Sequence, residues 1–441
     1  MRMILVSLAA ASMPLTSFAL AAPASAQAQQ AKVDGQAAAD SIRKLLNEQY
    51  VLTELRPKFD AILAKGIADG RYDVAEPDEL VKRINTDLAK VTPDKHLGVM
   101  YDPEQARQLA DAPPGAGADD APPSAEEVAA ADRRNHGLVE MKVLPGNIRY
   151  LKSDGFVWAG QPSERAYADA MRFLAGGDAV IIDMRPNGGG SPDAVRYMVS
   201  HFMEPNKPLM TFHMGSNKTD TTATLATLDA PRMVGKPLFV LAGPGSASAA
   251  EEFLGHVSGY KLGEIIGQTS AGAGFRNEFF PVPGGLVISV SVGRAVLAST
   301  GKDWEGVGIK PTTEVALDKA LDVAQLHALR KLAATAQPAR KKELDAAATL
   351  LAAKIDPVTP ALPLSAYAGS FGPRSIAAKE GKLVYHGPTG HKFNMIAVGP
   401  NQFTLEEDPS LRITFAVNGS ATTGFEMVRG DGTSLSAPRS Q

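Results

Sequence analysis

The chain contains no cysteine. That excludes a cysteine nucleophile, a cysteine-ligated metal and any disulfide. It also lacks a basic block. Lys and Arg number 45 against 48 Asp and Glu, for a net charge of −3, and nothing in that balance points to nucleic acid. Beyond residue 30 no run is long and apolar enough to cross a membrane. No internal repeat breaks the chain into copies. The glycine-rich stretch DMRPNGGGSPDAV, residues 183–195, lacks the Gly-x-Gly-x-x-Gly spacing of a dinucleotide site and the lysine of a phosphate loop.

What is present is enough for two or three domains, since the chain has 441 residues with ordinary apolar and charged content. The first stretch reads as a secretory signal peptide. Arg2 opens it, an apolar run follows, and Ala24-Ser25-Ala26 offers a small-residue cleavage site after Ala26. A membrane anchor is disfavoured because Pro14, Ser17 and Pro23 interrupt the run. The expected location is periplasmic or secreted, with no stable membrane insertion.

Apolar residues at three- and four-residue spacings predict helices over 34–110, with Pro77 at a helix start. Residues 111–135 begin with DAPPGAGADDAPPS and read as a linker or loop. GNIRYLKSDGFV, DAVIIDMR and KPLFVLAG read as strands, the last two nearly all apolar. Such strands, separated by helical SPDAVRYMVSHFM and SAAEEFLGHV, predict a sheet covered on both faces. Residues 136–320 therefore read as an α/β core and 321–360 as a helical connector broken near Pro338. Residues 361–441, with short alternating segments such as LRITFAVNGS, read as a small β domain.

Four segments offer chemistry. In GPGSASAAEEF, residues 243–253, an apolar strand runs through a tight turn into a helix. A serine at a helix N-terminus meets free N–H groups that favour an oxyanion; alternatively, Ser246 or Ser248 is only an N-cap. The glycines of DMRPNGGGSPDAV make a second strand–turn–helix, able to donate N–H groups or to be a plain turn. His96 follows Asp94 in VTPDKHLGVMYDP, and Glu305 lies in STGKDWEGVGIKP. Taken singly, each is an ordinary histidine or loop carboxylate. Together they are the parts of acyl transfer.

Seven segments carry a resemblance. NEQYVL, DKHLGV, LPGNIRYL, IIDMRPNGGG, GSASAAEEF, GQTSAGAG and DWEGVGIKP occur in that order over roughly residues 35–320. The chain resembles the C-terminal processing (tail-specific) serine peptidases, in the branch similar to interphotoreceptor retinol-binding protein and the tricorn core protease. The resemblance implies a crotonase-like (ClpP/crotonase) α/β core with an N-terminal helical cap and a small C-terminal β domain. It implies serine-type endopeptidase activity on a polypeptide substrate, with no cofactor and no metal. The family nucleophile falls on Ser248, the base on His96 and the orienting carboxylate on Glu305. The oxyanion hole falls on Gly188 or Gly189 with Ala249. Ser246, Asp94 and Glu251 fall around them as supporting residues.

The family's other branch uses a lysine about 25 residues after the serine. Position 273 is Ala here and no lysine lies between Lys261 and Lys302, which disfavours a Ser–Lys dyad. His256 is a rival base, but eight residues along a helix is about 12 Å, too far for direct contact with Ser248. The chain departs from the family at Pro311-Thr312, where Pro-Asp is usual, at Gln268, where an acid is common, and in having no recognisable PDZ module. A binding protein for an apolar ligand or peptide and a crotonase-type acyl-thioester enzyme are the alternative readings. The β domain's role is left open between docking substrate, closing the groove and driving homo-oligomer formation.

Overall fold

The computed structural model describes residues 33–111, 122–214 and 218–440. The expected leader and most of the Pro/Gly-rich loop lie outside the described residues. Helices α1 (Gly35–Gln49), α2 (Arg56–Ala68) and α3 (Pro77–Leu88) come first. Asp34 caps α1 by accepting the Gln36 and Ala37 N–H groups. The helical pattern of 40–67 is divided in two, because Pro57 cannot continue a preceding helix. Pro77 does start α3, with Asp78 and Glu79 in its first turn.

Strand β1 (Gly98–Tyr101), α4 (Pro103–Asp111) and α5 (Ala125–Arg133) follow. Then come β2 (Leu138–Leu144), β3 (Ile148–Ser153), α6 (Gln161–Ala175), β4 (Ala179–Asp183), α7 (Pro192–Ser200), β5 (Pro208–Met214) and β6 (Thr219–Ala223). The core continues through β7 (Leu238–Ala242), α8 (Ala249–Gly259), β8 (Glu264–Gly267), β9 (Phe275–Val282), β10 (Leu286–Leu297) and β11 (Thr313–Glu314). Helices α9 (Ala320–Ala333) and α10 (Pro338–Ile355) lead to α11 (Leu364–Tyr367).

The central sheet has the order β11-β8-β7-β4-β3-β2, parallel except where β2 joins β3. Strands β4 and β7 are buried at every position. Val180, Ile182, Leu238 and Val240 point to the side of α6, α7 and α8. Ala179, Ile181, Phe239 and Leu241 point to α9 and α10. This explains the unbroken apolar runs, since both faces of each strand need apolar side chains. The helices that read as a connector thus cover the second face of the sheet.

A second sheet runs β1-β10-β5-β6, with β9 also on β10. Leu286, Ile288, Val290 and Val292 of β10 pack under α1, α2 and α3. Strand β1 pairs antiparallel with β10, Gly98 opposite Ser289. That pairing fixes the segment just before β1, which carries Asp94 and His96.

Eight antiparallel strands, from β12 (Gly369–Phe371) to β19 (Ser434–Pro438), form the C-terminal region. The Ser440 N–H donates to the Ser370 carbonyl at 2.8 Å, drawing the last strand to the first. Tyr367, Phe371, Phe403, Phe415 and Phe425 fill the interior in edge-on and tilted contacts. Among the described residues no helix is long and apolar enough to cross a membrane. The chain is a mixed α/β protein with a β-rich C-terminal region.

Candidate active site

Strand β7 ends at Ala242, and the turn Gly243–Ala247 carries the chain into α8. Ser246 is buried and stitches this turn to β4. Its hydroxyl donates to the Met184 carbonyl at 2.7 Å and accepts the Gly243 N–H at 3.1 Å. Ser248 then occupies the N-cap of α8 with φ +55° and ψ −121°. An ordinary N-cap serine sits in the β region. A non-glycine residue at this positive φ carries strain of about 1–3 kcal/mol and is held there by its surroundings. The hydroxyl-bearing residue is thereby lifted off the end of the strand, a strained strand–turn–helix geometry like that of a nucleophile elbow.

Gly189 is packed directly against it. A Cβ on Gly189 would come within 2.7 Å of the Ser248 Cβ and 2.9 Å of the Ala247 carbonyl oxygen. At Gly190 a Cβ would meet the Phe156 carbonyl at 2.3 Å. The expected amide at Gly189 is already committed, donating to Asn187 Oδ1 at 2.9 Å. The Gly188, Gly190 and Ala249 N–H groups have no acceptor among the described residues. Gly190 and Ala249 line a cavity of about 300 Å³ with Ser248.

Glu251 holds the site together from beneath. It is fully buried, and its carboxylate accepts four hydrogen bonds. The donors are the N–H groups of Ser248 (3.0 Å), Gly272 (2.6 Å) and Ala273 (2.7 Å) and the Ser270 hydroxyl (2.6 Å). Ser270 also accepts the Ile309 N–H at 2.6 Å. The GQTSAGAG segment is thus pinned on one side to α8. On its other side it meets DWEGVGIKP, where Trp304 Nε1 donates to the Ala273 carbonyl at 3.1 Å.

Glu305 belongs to the same interlock, with Oε2 accepting the Gly274 and Phe275 N–H groups at 2.6 and 3.1 Å. Burial pushes its carboxyl up to about 7. The Gly274 and Phe275 N–H groups oppose that rise, while Asp94 and Glu251 add to it.

Asp94 accepts the His96 N–H at 2.8 Å and the Tyr50 hydroxyl at 3.0 Å, which fixes the turn that presents His96. Lys95 Nζ donates to the Ala271 carbonyl, bringing this turn against the GQTSAGAG loop. His96 is half-buried, and its Nδ1 is buried without a hydrogen-bond partner. Burial lowers its pKa, against the attraction of Asp94 and Glu251. Among the described residues no hydrogen bond joins His96 to Ser248 or to Glu305. The three segments converge around Glu251, Ala271 and Gly274, but the ring itself is not engaged.

His256 is fully buried in α8 and unavailable to substrate. Sequence reading missed Tyr50, Asn187 and Ser270 as supports. Each lay inside or beside a quoted motif, but none carries a signal of its own.

Residues 147–315 match peptidase family S41, and residues 31–139 match the N-terminal domain of peptidase S41 in eukaryotic IRBP. Over 178 residues the chain is 25% identical to the carboxy-terminal processing protease CtpB of Bacillus subtilis, covering 40% of this chain and 35% of that protein. Over 153 residues it is 25% identical to a probable CtpA-like serine protease of Staphylococcus haemolyticus, covering 34% and 29%. The chain thus spans about a third of the length of these curated relatives. A crystal structure of a putative peptidase from Parabacteroides merdae is 18% identical, with a TM-score of 0.49 over 69% of this chain and 99% of that one. The two family matches together span more than half of the residues, and the chain belongs to peptidase family S41.

Proposed function

We propose that this protein is an exported serine endopeptidase with Ser248 as nucleophile, His96 as general base and Glu305 as the carboxylate that orients it. The observation that carries this reading is the backbone of Ser248, held at positive φ on a strand–turn–helix and opening onto a cavity. Family membership and the names of the curated relatives support hydrolysis of peptide bonds by serine chemistry.

His96 takes the Ser248 proton as the hydroxyl attacks the peptide carbonyl. The oxyanion is received by the Ala249 N–H together with Gly188 or Gly190, because the Gly189 amide is occupied. His96 then protonates the leaving amine, and water clears the acyl-enzyme. In this reading substrate binding closes His96 onto Ser248, since catalytic hydrogen bonds often tighten only in the complex. Burial lowers the pKa of His96 and so favours the neutral ring, the form able to accept a proton.

The core of this reading is a crotonase-like unit over 136–320, capped by 34–110, with the β domain of 361–441 appended. Residues 1–26 serve as the leader that directs export.

The test is hydrolysis of an unfolded polypeptide such as casein by the purified protein. Cleavage is expected from the native chain and is abolished in Ser248→Ala and His96→Ala. Absence of cleavage, or cleavage that survives Ser248→Ala, overturns the assignment.

A further inference from the structure

The cavity beside Ser248 holds an ionisable side chain that acyl transfer does not use. Glu252 lies one turn into α8, with its N–H donating to the Ser248 carbonyl at 3.1 Å. Only 5% of the residue is exposed, and it lines the cavity with Phe212, Ala273, Ala295 and Trp304. Its recorded ion-pair contact is with His256 Nε2, 3.5 Å from Oε1. That nitrogen has no hydrogen-bond partner, so the contact is not a hydrogen bond. His256 does not line the cavity. Arg276 also lines it, half-buried, with its guanidinium over the Phe212 ring 5.6 Å from the centroid.

A carboxylate this deeply buried is costly unless a cation and hydrogen-bond donors reach it. Glu251, next to it in sequence, shows the satisfied case, with four donors on its carboxylate. Glu252 shares the burial, but among the described residues no hydrogen bond reaches its carboxylate, and the residue lines the cavity.

We propose that this cavity receives the substrate side chain on the acyl side of the scissile bond, and that Glu252 selects lysine or arginine there. The inference rests on Ser248 being the nucleophile. Four residues along a helix advance about 6 Å. The flexible four-carbon stem of lysine suits a charge placed that far from the attacked carbonyl, and arginine offers a bidentate fork. Phe212, Ala295 and Trp304 supply apolar walls for the stem.

The experiment uses the native chain and a peptide series that differs only in the residue before the cleaved bond: lysine, its uncharged isostere norleucine, and glutamate. The expected kcat/KM for lysine exceeds that for norleucine at least tenfold. In Glu252→Gln, shown to be folded by its thermal melt, the ratio falls toward one. A native ratio near one, a preference for glutamate that assigns the cavity to Arg276, or a ratio unmoved in Glu252→Gln overturns the inference.

Binding gives a second readout that needs no catalysis. Peptides ending in lysine or norleucine are titrated into Ser248→Ala by calorimetry, and lysine is expected to bind at least tenfold tighter. Cleavage without discrimination sinks the subsite alone. Absence of cleavage sinks the peptidase reading and with it the assignment of the cavity to the acyl side of a scissile bond, whatever the binding result.

Discussion

The junctions β4–α7 and β7–α8 are built alike and solve different problems. Both carry an apolar buried strand through a tight turn into a helix N-terminus. At the first junction the positive φ angles fall on Gly189 and Gly190, where they cost little. At the second the positive φ falls on Ser248, where it is strained. The first junction offers backbone, so a residue without a side chain serves it. The second offers a hydroxyl, so glycine cannot replace it and the strain is borne by the surroundings. Glu251 is the main restraint, since its carboxylate grips the Ser248 N–H and the facing loop together.

Loss of that restraint is expected to damage the second junction most severely. Glu251→Ala removes four hydrogen bonds and leaves three buried N–H groups without an acceptor. It is expected to lower stability by about 3 kcal/mol or more and to abolish casein cleavage, as read by chemical denaturation and by assay.

Gly190→Ala attacks the other junction. Its Cβ would lie 2.3 Å from the Phe156 carbonyl at a φ of +135°, so a loss of about 2–3 kcal/mol is expected. Gly188→Ala is the matched control. No atom lies within 4 Å of its Cβ, and denaturation midpoints should separate the two.

The strain itself is tested by Ser248→Gly against Ser248→Ala. Both remove the hydroxyl, but glycine relieves the positive φ and alanine does not. The glycine variant is expected to be more stable by about 1 kcal/mol. Equal stability would show that Ser248 is unstrained.

The last test is a pH dependence. The Glu305 carboxyl is pushed up to about 7, above its ordinary 4.5. The folded chain therefore binds that proton more tightly than the unfolded chain, and this contribution to stability falls as pH rises from 4.5 to about 7. Glu305→Gln should flatten the dependence in that window. If the ionised carboxylate orients His96, native kcat/KM should climb through pH 7, and Glu305→Gln should lose that climb.

Much of this arrangement is legible in one dimension. KPLFVLAG and DAVIIDMR read as strands because burial on both faces demands unbroken apolar runs, and they are β7 and β4. Pro77 marks a helix start because its missing N–H is harmless there. Local conformation and composition carry those signals.

What convergence creates is not legible. Tyr50 meets Asp94 across 44 positions, and Ser270 meets Glu251 across 19. No periodicity records such meetings. The occupied Gly189 amide depends on the side chain of Asn187, which has the same local spacing whether or not it turns inward. The covering of the second sheet face by α9 and α10 is a packing outcome, and their Ala/Leu/Lys composition suits a connector equally well. Glu252 looks like the second half of an acidic pair in sequence. Only the fold separates it from Glu251, one caged by donors and the other facing the cavity.

The proposed activity depends first on Ser248 being a nucleophile activated by its setting. The most direct measurement is treatment of the native protein with a fluorophosphonate, followed by peptide mapping in a mass spectrometer. One adduct is expected, on Ser248, formed slowly or not at all in His96→Ala. An adduct on another residue, or no adduct on a folded native chain, would contradict it.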